Sequence, residues 1–473
     1  MLDRLGGGIR AWRGTRTVTI AVAGLARSGK TALITSVIAN LQATGQSATA
    51  AKWLRGLDVV DGGRLRSAEI PATFRPSHGR MFPFHDMLAA LTANMPHWPS
   101  RTANVYEAAV DLHFWPGRAP PRGDARTARL RLVFMDYPGE WLVDVPLLDQ
   151  GFAEWSTAAL RRLERGPWAG ISAPFRALLA GTDWTGPDND EVARKAARAW
   201  QAVLLAARDD GLKWLQPGQF VRKRDQAEET AAPALDETAL WFCPLPAAAI
   251  EAAKKGSLAA GMAGRYAAYQ RNVAVFFKDT LGDASRHVLL VDVLEALAEG
   301  EAPFYETAEI LSAVYRTFTG RRSVFQRWFG RAGFDKVLLL ATKADTVPPN
   351  QRAALKSLLA EMCARRVAGA ASIGPPATGY VAAIRATEEV EVVTDTGDRV
   401  LAVQGFCGDA GRQRRVSLFD IPESMPTSAD FARRTGLRPP SFVPPRIESE
   451  GRHGIPNTRL GQVLDDLVGD LLA

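Results

Sequence analysis

Cysteine is scarce in this chain. Cys243, Cys363 and Cys407 are the only three in 473 residues, odd in number and far apart. That argues against a disulfide frame or a zinc site, and it fits a reducing compartment. The six histidines, among them His78, His85, His97 and His113, show no metal-ligand spacing with cysteines or carboxylates. No apolar run approaches the ~18 residues that a membrane-spanning helix needs, and the opening MLDRLGGGIRAWRGTR lacks the apolar centre of a signal peptide. No internal repeat is visible, and no Ser/His/Asp or Cys/His nucleophile can be argued from residue order. The expectation is a cytoplasmic protein whose contact with a membrane, if any, is peripheral.

What is present is a soluble globular composition, 47% hydrophobic and 23% charged, with a formal net charge of +7. Basic residues are interleaved with acids, which favours solubility and an acidic partner over specific nucleic-acid binding. The length exceeds one compact core, so additions or further domains are expected.

The organising stretch is TVTIAVAGLARSGKTALITSVI, residues 17–38. An apolar strand over Thr17 to Ala23 runs into a glycine turn, then into a helix that starts at Gly29 and Lys30. The turn Gly24-Leu25-Ala26-Arg27-Ser28-Gly29-Lys30-Thr31 matches the phosphate-binding loop in full. Glycines let successive N–H groups converge on one anion, the helix N-terminus adds positive dipole, Lys30 reaches the β and γ phosphates, and the Thr31 hydroxyl holds Mg²⁺. The nucleotide-binding set here is Gly24, Arg27, Ser28, Gly29, Lys30, Thr31 and Ala32. Arg27 faces either phosphate or solvent.

Strand signals return at ARLRLVFM (Ala128 to Met135), HVLLVDV (His287 to Val293), KVLLLA (Lys336 to Ala341) and Gly379 to Ile384. Leu147 to Leu205 and Ala248 to Phe277 read as alanine-rich helices, and Arg222 to Asp236 as an exposed loop. Residues 40–128 carry no long periodic run, only a short helix signal at Met87 to Asn94. Glu389 to Gln404 looks like a β-hairpin turning at Thr396-Gly397-Asp398, and a Pro-rich tail (Pro439, Pro440, Pro444, Pro445) ends in an amphipathic helix, Leu460 to Leu472. Alternating strands and helices imply an α/β, doubly wound, mainly parallel sheet, whose ligands bind at the carboxyl ends of the strands.

Two further motifs fall at strand ends. Asp136-Tyr137-Pro138-Gly139 follows ARLRLVFM. There Asp136 can hold Mg²⁺ through water, and the Gly139 N–H can bond a γ-phosphate oxygen that exists only before hydrolysis, which makes the segment a candidate switch. Thr342-Lys343-Ala344-Asp345 follows KVLLLA. A carboxylate at Asp345 accepts from guanine N1–H and the 2-amino group together, adenine offers neither, and the Lys343 stem can lie along the base. A helix-capping Asp remains the plain alternative.

In this order the motifs resemble the regulatory GTPases of the P-loop class. GLARSGKT, DYPGEW, a long helical insertion, TKAD and AAIRAT together resemble the YcjX family of bacterial P-loop NTPases, described as stress-associated. The resemblance implies a G-domain-like core (1–146 and 285–473) with an inserted helical domain (147–284) and a small C-terminal β-hairpin extension. It also implies GTP or GDP bound with Mg²⁺, ATP remaining an alternative, and an unidentified protein partner. Contact with the inner membrane of a bacterium would be peripheral. Two positions depart from the wider GTPase pattern: Thr342 stands where Asn is usual, and Glu140 stands where Gln often orients water. Glu140 could polarise water, repel the γ-phosphate or cap the next helix, so the expectation is slow hydrolysis in which Lys30, Gly139 and Glu140 are the catalytic set. Thr73 in IPATFRPS is either the switch I threonine on Mg²⁺ or, more simply, a plain loop threonine, and the N–H groups of Ala383-Ile384-Arg385 are candidates for guanine O6. Arg64 or Arg66 is either an internal arginine finger or, more simply, surface arginine. GRRSVFQRWFGRAG at Gly320 to Gly333 is either an anionic-surface contact or a solvated helix end.

Overall fold

A computed structural model describes residues 15–24, 27–99, 104–117, 120, 126–221, 237–319, 333–364, 375–408, 413–417, 420–434, 438–448 and 452–473. Its axis is strand β1 (Arg16–Gly24), whose side chains alternate as a strand buried on both faces must. Val18, Ile20 and Val22 enter one core, and Ala21 and Ala23 enter the other.

Seven more strands complete the main sheet: β2 (Leu65–Glu69), β3 (Arg80–Met81), β4 (Tyr106–Phe114), β5 (Ala128–Asp136), β6 (Ala284–Val291), β7 (Lys336–Ala341) and β8 (Ala377–Tyr380). Their order is β2-β4-β5-β1-β6-β7-β8, with β3 beside β4. From β5 to β8 all neighbours are parallel, whereas β4 runs antiparallel to β5 and β2. The parallel α/β sheet read from the sequence is therefore the observed one. Strand β8 stops at Tyr380, short of the expected Ile384.

Strand β4 had no sequence signal. It carries Glu107, Asp111 and His113 amid its apolar residues, and Asp111 is wholly buried because Arg129 and Arg131 of β5 neutralise it. Burial alone would raise the Asp111 pKa, but hydrogen bonds and charge from those two arginines bring it below the usual carboxylate range.

Helices that frame the sheet and the site include α1 (Lys30–Gln46), α2 (Phe84–Thr92), α3 (Phe152–Arg162), α4 (Asp190–Asp209), α5 (Leu258–Leu281), α6 (Val293–Glu299), α7 (Glu301–Thr319), α8 (Arg352–Ala364) and α9 (Leu460–Val468). Local chemistry sets their starts: Asn189 accepts from the N–H groups of Glu191 and Val192, and Ser257 accepts from that of Ala260. Helices α3 to α5, between β5 and β6, pack around Trp155, which stacks on Tyr266 with ring centroids 5.1 Å apart. Their core is continuous with the face of the sheet that carries Ala21, Met135 and Leu289. The opposite face is covered by α1, α2 and α9.

Strands β9 (Thr387–Val393), β10 (Arg399–Cys407) and β11 (Gln413–Ser417) form a second, antiparallel sheet, with Gly397 at φ 87° in the β9–β10 turn. Residues 222–236 and 320–332 lie outside the described residues. Among the described residues no helix is long and apolar enough to cross a membrane.

Candidate functional site

Strand β1 lies between β5 and β6, where connections depart in opposite directions, the position at which doubly wound sheets bind ligands. The phosphate-loop sequence follows β1 there. Leu25 and Ala26 lie outside the described residues; from Arg27 the turn is built on two left-handed residues, Arg27 at φ 63° and Gly29 at φ 88°. At Gly24 a Cβ would come within 2.3 Å of Ser28 Oγ and 2.5 Å of the Leu290 carbonyl, so only glycine fits. Ser28 Oγ is buried and finds no protein hydrogen-bond partner among the described residues. A buried hydroxyl without a partner costs free energy unless a ligand or water meets it.

A cavity of about 740 Å³ opens here. It is lined on one side by Arg27 to Leu33, and on the other by Thr342, Lys343, Asp345, Thr346 and Val381 to Ile384. The phosphate loop and the TKAD motif, more than 300 residues apart in sequence, thus share one space. Asp345 is 3% exposed, and its Oδ2 accepts from the Ala386 N–H at 2.7 Å. Burial pushes its carboxyl up to about 6, against the pull of that hydrogen bond and of Arg352 and Arg385. Its backbone carbonyl accepts from the Thr387 hydroxyl, so Asp345 is anchored to the chain after β8 and caps no helix; α8 begins only at Arg352. Lys343, left-handed at φ 56°, forms an ion pair with Asp292, the residue that caps α6. The Thr342 hydroxyl turns to the Val291 carbonyl at 3.3 Å.

Asp136 is completely buried at the end of β5, in register with Val22 of β1, and therefore stands beside the start of the phosphate loop without itself lining the cavity. The chain then enters a 3₁₀ segment, Gly139–Asp149. Of Glu140 only the backbone is described.

The model of the YcjX-like family, DUF463, matches residues 18–472. The chain belongs to the YcjX-like family. It is 31% identical over 470 residues to the "Ras-like GTPase YcjX" of Escherichia coli (strain K12), covering 97% of this chain and 96% of that protein. It is also 30% identical over 476 residues to the protein of the same name from Shewanella oneidensis (strain MR-1), covering 97% and 95%.

Not every expected site residue of this YcjX-like chain joins the cavity. Ala383 and Ile384 do, and the Ala383 carbonyl is fixed by the Ser36 hydroxyl of α1 at 2.5 Å. Arg385 points elsewhere: its N–H donates to the Pro456 carbonyl at 2.7 Å, and its guanidinium lies over the Trp53 ring. Thr73 is exposed in the stretch between β2 and β3 and does not line the cavity. Arg64 is neither a finger nor surface arginine. It is 1% exposed and donates to the carbonyls of Trp115 and Leu472 and to the Asp58 carboxylate. Arg66 is exposed, its guanidinium 5.9 Å from the Trp115 ring centroid.

Asp292 was placed inside the strand signal HVLLVDV, but β6 ends at Val291 and Asp292 caps the helix that follows. The sequence reading missed Trp98, Pro99 and Arg438 to Phe442, which also line the cavity. It also missed the junction between the 3₁₀ segment and α5. There Trp141 packs edge-on against Phe276, Asp144 accepts from the Tyr269 hydroxyl at 2.6 Å and from the Gly218 N–H at 2.8 Å, and the Leu147 carbonyl accepts from Gln270 at 2.6 Å.

Proposed function

We propose that this protein is a Mg²⁺-dependent GTP-binding switch that hydrolyses GTP slowly and passes its nucleotide state through helices α3 to α5 to a protein partner. The observation that carries the reading is the one cavity that joins Ser28 to Thr31 at its phosphate end to Asp345, Ala383 and Ile384 at its base end. The GTPase naming of both relatives supports it.

In this reading Lys30 and the loop N–H groups bind the phosphates, and the N–H of Ala383 or Ile384 meets guanine O6. Mg²⁺ fits the donors: the Thr31 hydroxyl and the Asp136 carboxylate are hard oxygens on neighbouring elements, and Mg²⁺ takes its other positions from water and phosphate. When bound, it neutralises charge on the transferring phosphoryl group. Gly139 would sense the γ-phosphate, and the contacts of Trp141, Asp144 and Leu147 would carry its movement to α5. Helices α3 to α5 would then act as the inserted reporting domain. Hydrolysis is slow because a carboxylate, Glu140, follows Gly139 where a neutral water-orienting amide would serve better.

A second reading, an ATPase, draws on Thr342, which stands where Asn is usual in guanine sites and whose hydroxyl donates its proton to the Val291 carbonyl. Competitive binding of GTP, GDP, ATP and ADP with Mg²⁺ decides between them. A guanine preference supports the switch, an adenine preference replaces it with an ATPase, and binding without single-turnover hydrolysis leaves a nucleotide-binding scaffold.

A further inference from the structure

The Pro-rich tail has so far had no role. Arg438, Pro439, Pro440, Ser441 and Phe442 line the same cavity as the phosphate loop, and so does Trp98. The Trp98 indole N–H donates to the Phe442 carbonyl at 2.9 Å, joining two walls 344 residues apart in sequence. The tail is anchored at the base end. A Cβ on Gly405 of β10 would stand 2.6 Å from the Phe442 ring and 2.9 Å from the Ala386 carbonyl, so the ring lies directly on the strand backbone. Ala386 is the residue whose N–H holds the Asp345 carboxylate. The Val443 N–H adds a bond to the Phe406 carbonyl at 2.8 Å. Two adjacent prolines fix their own φ angles and stiffen the span between this anchor and the rest of the tail. Trp98 itself stays 40% exposed, a large aromatic surface left open beside a cavity, and indoles offer faces on which purines stack.

We propose that Arg438 to Phe442 form a strap across the purine end of the site, latched by Trp98, and that unlatching sets the rate of nucleotide release. The inference rests on the nucleotide reading of the cavity. Neither wall belongs to the phosphate loop or to TKAD, so the strap would govern how long a nucleotide stays without changing which base is chosen.

Release of N-methylanthraniloyl-GDP from the full chain, chased with excess GDP in a stopped-flow instrument, tests this. Trp98→Phe keeps a ring but loses the donor, and release should accelerate about fivefold, the worth of one net hydrogen bond. Pro439→Gly with Pro440→Gly loosens the span while keeping the latch, and should also accelerate release. Equal release from wild type and both variants, each with unchanged thermal unfolding, would overturn the strap and leave the nucleotide site intact. Failure of the wild type to bind the labelled nucleotide would remove the nucleotide reading, and the strap with it.

Discussion

The Tyr137 hydroxyl and His287 Nε2 lie 2.7 Å apart in the centre of the molecule, both side chains wholly buried. Burial lowers the His287 pKa to about 3 and raises that of Tyr137 well above its ordinary value, so the pair is neutral. The imidazole rests against Phe318 and Phe334, with centroids 4.7 Å and 4.9 Å away. Tyr137 directly follows Asp136, so this bond ties the entrance of the candidate switch to β6. Movement on nucleotide exchange should begin after Tyr137.

Tyr137→Phe removes the hydroxyl and leaves His287 Nε2 buried without that partner. We expect a stability loss of about 1–3 kcal/mol in urea unfolding. GDP affinity should hold; a large loss of affinity would place Tyr137 in the moving part.

Lys30→Ala should weaken nucleotide binding about 10- to 100-fold, the value of charge-assisted bonds to phosphate. Isothermal titration with GDP measures it. Unchanged affinity would remove the phosphate-loop reading altogether.

Because burial holds the Asp345 carboxyl up to about 6, its charge is lost as pH falls through that value. A protonated Asp345 no longer accepts from both guanine donors, so GDP affinity should fall more steeply than ADP affinity between about pH 7.5 and about pH 5, the protonation of the terminal phosphate being common to both. Asp345→Asn should abolish guanine preference and admit xanthine nucleotides. If base ranking does not change, Asp345 is a purely structural anchor for Ala386 and Thr387.

Asp144 gives the opposite kind of pH dependence, one of stability. Burial raises its carboxyl from 3.8 to about 7, although Tyr269 and the Gly218 N–H pull it down. Between those values the unfolded chain releases a proton that the folded chain keeps, so stability falls as pH rises through that window. Asp345 contributes in the same direction. Asp144→Asn should flatten part of the decline in melting temperature between about pH 5 and about pH 7; an unchanged slope would show that Asp144 ionises without cost.

The site was legible wherever one short stretch carries its own chemistry. GLARSGKT must be a strand, a turn and a helix, and TKAD must follow an apolar strand, so their meeting at the carboxyl edge of one parallel sheet, on β1 and β7 with β6 between them, follows from topology. Strand β4 was hidden because its buried Asp111 reads as a solvent residue until Arg129 and Arg131 are placed beside it. Arg64 was misread for the same reason, since its partners are carbonyls at Trp115 and Leu472. Trp98 and the tail carry no mutual signal, because one hydrogen bond between distant residues leaves no period or motif.

The last residues of the chain hold the centre of the sheet. Arg286 of β6 and Lys336 of β7 both bond the Asp470 carboxylate, Arg64 grips the Leu472 carbonyl, Asn40 of α1 pairs with Ile455, and Ala382 pairs with Thr458. A ribosome therefore delivers the phosphate loop first and its supports last. During synthesis β5 can pair with β1 early, but β6, the Thr342 to Asp345 wall of the cavity and the bonds made by Ile455 to Leu472 follow only much later in the sequence.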